Sequence, residues 1–360
     1  MVSLPDASPP ELSVIVPFLN EGEMLPSLIQ TLQRQQGVKF ELILCDGGSE
    51  DDSHDVLSPL LATFPYEYRL YHSPPGRARQ LNFGAASSRG NYLLFLHADS
   101  TFEDSRALAQ AYASLHAAHR SAGHCEIAGH FPLFFRSRSD QSSWAFFHHA
   151  WKTRLHRPYC VHGDQGFMLA RSFFEKVGPF DESLPFLEDV RLAKSIENRG
   201  RWLLFPTVLE TSARRFEEEG FGRRQALNAL ILACEEAGYG YWLADLPGIY
   251  RQQAACKGLR LYPFFKQVSR HVSSLSQAQK RRLWRTVGAF VCGNVWQLAF
   301  MVDTLRHYRN GKTSGHGPLK VLSFFDRRIA RMIDHPVGYW IAAFGAWVWY
   351  RWNLHAGYRS

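Results

Sequence analysis

The sequence predicts an α/β protein: a doubly wound, mostly parallel sheet with helices on both faces, followed by a basic helical region. Three observations carry this. Short apolar, β-branched runs alternate with segments of helical periodicity four times in the first hundred residues, the signature of such a sheet. Polar residues stand just past the ends of those runs, where α/β sheets gather their ligands. The charge also divides sharply: residues 251–360 hold 18 Lys/Arg against 3 Asp/Glu, a net of +15, which leaves −7 for the first 250.

Taken in order, Leu12–Pro17 is a buried strand that stops at a proline, and Leu25, Leu28, Ile29 and Leu32 recur at helical spacing before Gly37. Phe40–Cys45 is a second strand, broken by Asp46-Gly47-Gly48-Ser49, and Val56, Leu57, Leu60 and Leu61 mark a helix. Glu67–Tyr71, the small-residue helix Ala78–Ser88 and the wholly apolar Tyr92–Leu96 follow, the last reading as a central parallel strand. Further strands are expected over Glu126–Phe135, Gly166–Ala170 and Trp202–Phe205, and helices over 188–199 and 221–237.

With 46% apolar and 21% charged residues in 360, the chain can bury a large core, and wholesale disorder is excluded. Six dispersed cysteines form no Cys-x-x-Cys pair, against a zinc ribbon or a dense disulfide framework, so a reducing, cytoplasmic setting is expected. Residues 1–11 read as a flexible leader, 12–250 as the α/β domain and 251–360 as the basic tail. An acidic front half is a poor match for nucleic acid.

The candidate chemistry lies at the strand ends. Asp46 can accept hydrogen bonds from a nucleobase or ribose, with Gly47 and Gly48 allowing close backbone approach; an Asx turn is the plain alternative. Asp99 follows the most apolar strand and suits a hard cation such as Mg²⁺ or Mn²⁺ shared with phosphate, or else caps a helix. His97 is a donor-positioning group more readily than a Mg²⁺ ligand. Arg77 and Arg79 can pair with phosphate, or stand solvated at the surface. Gly163-Asp164-Gln165-Gly166 is a loop that lets a sugar approach, or a tight turn. Glu188 and Asp189 open a helix whose dipole favours acids in any case, and either carboxylate can take a proton from an attacking hydroxyl.

Read together, the stretches Val14–Glu21, Asp46–Ser49, Gly76–Ala86, Phe95–Asp99, Gly163–Gly166 and Leu187–Asp189 resemble family 2 glycosyltransferases of the GT-A fold over about residues 11–245. They look closest to a bacterial subgroup with Gly-Arg-Ala-Arg-Gln and His-Ala-Asp motifs. The resemblance implies an inverting transfer of a sugar from a nucleoside diphosphate sugar to an acceptor hydroxyl, assisted by a divalent cation. It places Pro17, Asn20 and Glu21 near the nucleoside, Asp46 on the base with Arg79 beside it, Asp99 on the metal and Asp189 as general base. His97 stands where the family's Asp-x-Asp motif has its first acid. A nucleotidyltransferase of similar fold is the first rival, disfavoured because no Gly-rich triphosphate loop follows the first strand; a scaffold without turnover is the second.

In the tail, Trp284, Trp296, Trp340, Trp347, Trp349 and Trp352 mix with Lys280-Arg281-Arg282, Arg327-Arg328 and Arg331. Its two uncharged stretches, Thr286–Val302 and Pro336–Tyr350, fall short of the roughly 20 residues a span needs. Interfacial helices on an anionic cytoplasmic membrane face are expected, in keeping with a lipid-linked acceptor; a helical subdomain packed on the rest of the chain is the alternative.

Overall fold

The computed structural model describes residues 9–138, 143–253 and 258–356, so residues 1–8 of the expected leader and Cys256 lie outside the described residues. The strands are β1 Leu12–Phe18, β2 Phe40–Asp46, β3 Glu67–His72, β4 Tyr92–Phe95, β5 Ile127–His130, β6 Leu133–Arg136, β7 Phe167–Ala170, β8 Arg201–Leu204 and β9 Leu209–Ser212. The helices accompanying them are α1 Leu25–Gln33, α2 Ser53–Ala62, α3 Arg77–Ser87, α4 Ala107–Ala122, α5 Trp144–Lys152, α6 Arg171–Val177 and α7 Glu188–Arg199. Seven strands form one sheet in the order β3-β2-β1-β4-β7-β5-β8, and β6 pairs with β9 in a second.

Burial explains which runs take the centre. Every residue of β1, β2, β4 and β7 is buried, as expected of strands covered by helices on both faces. β3, at the sheet edge, has no fully buried residue. β1 runs one residue past Pro17. The Ile15 carbonyl accepts from Leu96 N (3.0 Å), so Pro17, two residues on, faces the same side, beyond the last β4 partner at Phe95. Its missing N–H therefore costs no ladder bond.

The single strand expected over Glu126–Phe135 is two strands in two sheets, and Pro132 is the reason. Without an N–H it cannot continue the ladder. Phe131 N turns to the Gln165 carbonyl and Leu133 N to Thr153 Oγ1 instead.

β1 to β4 are parallel, whereas β7 runs antiparallel to β4 with Phe95 opposite Phe167. The start of β7 therefore lies at the edge where β4 ends. The turn before β7, a 3-10 helix Gly163–Gln165, is delivered to that edge.

The chain divides into two compact units. One holds the described residues up to Arg136 with His149–Ser183 and Leu187–Ser212; the other holds the described parts of Ser137–His148, Leu184–Phe186 and everything described from Ala213 onward. From Ala213 onward the second unit is helical: α8 Arg214–Glu219, α9 Phe221–Glu236, α10 Leu246–Arg251, α11 Tyr262–Ser274, α12 Gln277–Asn294, α13 Trp296–Arg309, α14 Lys320–Phe324, α15 Ala330–Ile333 and α16 Pro336–Ala356. Ser276 and Gln279 close a capping box at the start of α12. α12 and α16 meet closely at Gly288, where a β-carbon would stand 2.0 Å from the Tyr339 carbonyl oxygen. The uncharged stretch Thr286–Val302 is not one helix, because the chain breaks at Val295 between α12 and α13. Asn294 stitches that junction, donating to the Phe290 carbonyl and accepting from Gln297. No described helix is long and apolar enough to cross a membrane.

Candidate active site

Two groups of polar side chains gather at the edge where β1, β2 and β4 end. The first centres on Asp46, the last residue of β2 and fully buried. One carboxylate oxygen accepts from Gly48 N (3.2 Å), Ser49 N (2.9 Å) and Ser49 Oγ (2.7 Å), which is the Asx-type turn the sequence allows. The other oxygen meets His54 Nε2 at 2.9 Å and His72 Nδ1 at 3.1 Å. Burial pushes this carboxyl up, but the Ser49 and His54 hydrogen bonds outweigh it and hold it below its ordinary range. Asp46, His54 and His72 bring an oxygen and two imidazole nitrogens within 4.8 Å of one another, a set that could hold a metal ion of the transition series.

Asn20, just past β1 with φ 55°, donates its N–H to Ser49 Oγ (2.9 Å) and accepts from Glu50 N (2.8 Å). Glu21 N donates to Ser53 Oγ at 3.1 Å. These residues fasten the β1 loop to the loop after β2, and Pro17 lies buried within β1. Gln80 of α3 joins the two strand ends from below, donating to the Phe18 (2.8 Å) and Cys45 (2.7 Å) carbonyls.

The second group centres on Arg77, at the start of α3. Its guanidinium lies 3.5 Å from Glu188 Oε1. Partial burial would lower its pKa, yet Glu188, Asp189 and Asp99 together raise it. Arg79, two residues on, turns instead toward Glu182 (3.8 Å) at the surface. Asp189 Oδ2 accepts the Gly163 N–H at 2.7 Å, and a β-carbon on Gly163 would stand 3.3 Å from His97 Nε2. The β4 loop, the turn before β7 and the start of α7 thus share one small cleft, lined by Arg77, His97, Gly163, Glu188 and Asp189.

Asp99 caps no helix: it sits in a turn closed by Ser100 N on the His97 carbonyl, and α4 begins only at Ala107. Thr211 Oγ1 donates to it at 3.3 Å. Asp164 is pushed up to about 7 by burial and by Asp189 and Asp99, with Arg77 opposing. Its Oδ1 is buried and accepts no hydrogen bond. Glu188 is raised for the same reason, burial first. Gln165 is fully buried and donates to the Cys160 carbonyl (2.7 Å), and Gly166 has φ 64°, so both shape the turn. Leu187 also lies in the left-handed region, φ 71°, immediately before the two acids of α7.

An orphaned carboxylate oxygen among three acids and one arginine is a site short of positive charge. That donor set fits a hard divalent cation. Among the described residues, Asp99, Asp164 and Asp189 do not form a set of ligand atoms within 4.8 Å of one another. Sequence reasoning missed His54 and His72, and also His162, whose pKa burial lowers against the pull of Asp189. His162 directly precedes Gly163, so proximity to a named loop was its only signal.

Residues 13–178 match the family model Glycosyl transferase family 2. Among curated proteins, a PGL/p-HBAD biosynthesis glycosyltransferase of Mycobacterium bovis is 34% identical over 106 residues, 29% of this chain and 41% of that one. An uncharacterized glycosyltransferase of Haemophilus influenzae is 34% identical over 91 residues, 25% of this chain and 30% of its own. The chain thus spans well under half the length of these relatives. Among solved structures, the mannosyltransferase PcManGT from Pyrobaculum calidifontis, in complex with GDP-Man and Mn²⁺, is 15% identical with a TM-score of 0.48, covering 95% of this chain and 88% of that one. The stretch 13–178 that matches this family model carries Asp46, Arg77, Asp99 and Asp164.

Proposed function

We propose that the chain is an inverting glycosyltransferase that moves a sugar from a nucleoside diphosphate sugar to an acceptor hydroxyl. The observation that carries this is the grouping of Asp99, Asp164, Glu188 and Asp189 around Arg77 at the carboxyl edge of a parallel sheet, Arg77, Asp99 and Asp164 lying within the stretch that matches the family 2 model. Asp99 and Asp164 would hold a divalent cation, Mg²⁺ or Mn²⁺, which supplies positive charge to the diphosphate oxygens. Asp189, fixed by Gly163 N–H, takes the proton of the attacking hydroxyl. Glu188 stands behind it, its charge balanced by Arg77. His97 and the 163–166 turn bound the space where sugar and acceptor meet. The nucleoside lies toward Asp46, Pro17, Asn20 and Glu21, with Arg79 at its outer side; a base reaching the Asp46 carboxylate displaces one imidazole.

The second part of the reading is attachment to an anionic membrane face through the basic region 251–360, on the cytoplasmic side and with a lipid-linked acceptor. α16 exposes Trp352, Ile341 and Phe344 at 72%, 69% and 66%, while Arg327, Arg328 and Arg331 are exposed just before it. Large apolar side chains beside exposed arginines suit the boundary between headgroups and acyl chains. The described cysteines are all free, in keeping with a reducing compartment.

The test is hydrolysis and transfer with UDP-, GDP- and dTDP-sugars in Mg²⁺ or Mn²⁺. Asp99→Ala and Asp189→Ala are each expected to lower kcat at least about 100-fold, the scale of lost acid–base or electrostatic assistance, while keeping the far-ultraviolet circular dichroism of the parent. Full turnover in both variants would remove the assignment.

A further inference from the structure

From Pro336 to Tyr350 α16 has no charged residue on any side, yet only part of it is packed. Ala343 and Tyr350 are buried, whereas Ile341, Phe344, Trp347 and Val348 are exposed. A helix that is apolar all round is ordinarily covered all round. Behind its packed side, α9, α11, α12 and α16 line a half-open cavity of about 360 Å³. Its walls include Ala233, Val268, Val287, Val291, Trp284 and Trp349, and no charged residue contributes to them.

Left open to solvent, such a space exposes apolar surface, since its lining offers water almost nothing to bond. It falls at the small end of ligand pockets, roughly 300–1,000 Å³. Trp349 lines the cavity and is also 37% exposed, so it stands at the mouth, with exposed Trp347 and Val348 beside it in the chain. At Gly345, also in the lining, a β-carbon would meet no atom within 4 Å. Arg351 follows one residue beyond the last cavity residue, its guanidinium 5.9 Å over the Trp347 ring.

We propose that this cavity receives one hydrocarbon chain of a lipid drawn from the membrane face. A compact polar ligand would find no group to orient it, whereas a chain entering past Trp349 keeps apolar surface around it throughout and leaves its headgroup near Arg351. The proposal rests on the membrane reading above and adds an occupant to it.

The test uses the full chain and 12-bromododecanoic acid below its micellar concentration, read by bromine quenching of tryptophan fluorescence, since Trp242, Trp284 and Trp349 line the cavity. Saturable quenching, relieved by dodecanoic acid, is expected. Gly345→Leu and Ala233→Leu, which fill the space from different helices, should each weaken the probe at least tenfold while keeping the melting temperature and co-sedimentation with anionic vesicles. Ile341→Glu with Phe344→Glu should do the reverse, losing the vesicles and keeping the probe. Unsaturable quenching, or equal probe affinity in both filled variants, overturns the cavity assignment. Failure of the wild type to bind vesicles while it binds the probe overturns the membrane reading and not the cavity.

Discussion

Replacing Asp164 by Asn isolates the electrostatic cost of the acidic cleft. A carboxyl that titrates near 7 when its ordinary value is 3.8 binds a proton in the folded chain over a range where the unfolded chain has released it. The unfolded state then holds fewer protons, so stability falls as pH rises from about 4 to about 7 and levels off above that. At about 1.4 kcal/mol per pH unit, the loss at pH 8 is about 4 kcal/mol. Asn keeps the shape and cannot ionise. In EDTA, Asp164→Asn should therefore match the parent near pH 4 and exceed it at pH 8, with a melting temperature higher by on the order of 10 °C. Differential scanning fluorimetry from pH 4 to 8 measures this directly. Mn²⁺ should narrow the gap at pH 8 by stabilising the parent and not the variant, because a cation supplies the charge the cleft lacks. A gap that is the same at every pH would refute the reasoning, since it would place the effect in packing.

Three further outcomes follow from the backbone and the helical unit. Leu187→Gly should be about 1 kcal/mol more stable than Leu187→Ala by urea denaturation, because only glycine occupies φ 71° without strain. Gly288→Ala should cost about 2 kcal/mol or more, and lower the melting temperature, since its methyl meets the Tyr339 carbonyl at the α12–α16 contact. Asp303 is buried in α13 and accepts from Val321 N (3.1 Å) and Leu322 N (2.9 Å). Asp303→Ala should cost about 1–2 kcal/mol, and Asp303→Asn much less, as the loss of a helix cap does.

The central strands were legible because burial on both faces leaves an unbroken apolar run, and Leu42–Cys45 and Tyr92–Phe95 are such runs. The start of α7 at Glu188 was legible for a different reason, two acids in a first turn after a proline. The break at Pro132 was visible as a residue, but the destination of the next strand depends on pairing with β9, some 75 residues later, which no local pattern encodes. The same holds for the imidazoles on Asp46. His72 is directly opposite Asp46 in the β2–β3 register, so register, not composition, makes it a partner. Asp164 was read as part of a sugar-facing loop, and its place among the acids follows from the direction of β7, which the apolar run Phe167–Ala170 does not reveal.

The pairing of Phe95 with Phe167 fixes more than a sheet. It sets the spacing between the turn at 97–99 and the turn at 163–166 by backbone ladder alone, independent of how many residues intervene. A change that loosened this ladder would shift the two turns against each other while leaving the side chains of both intact.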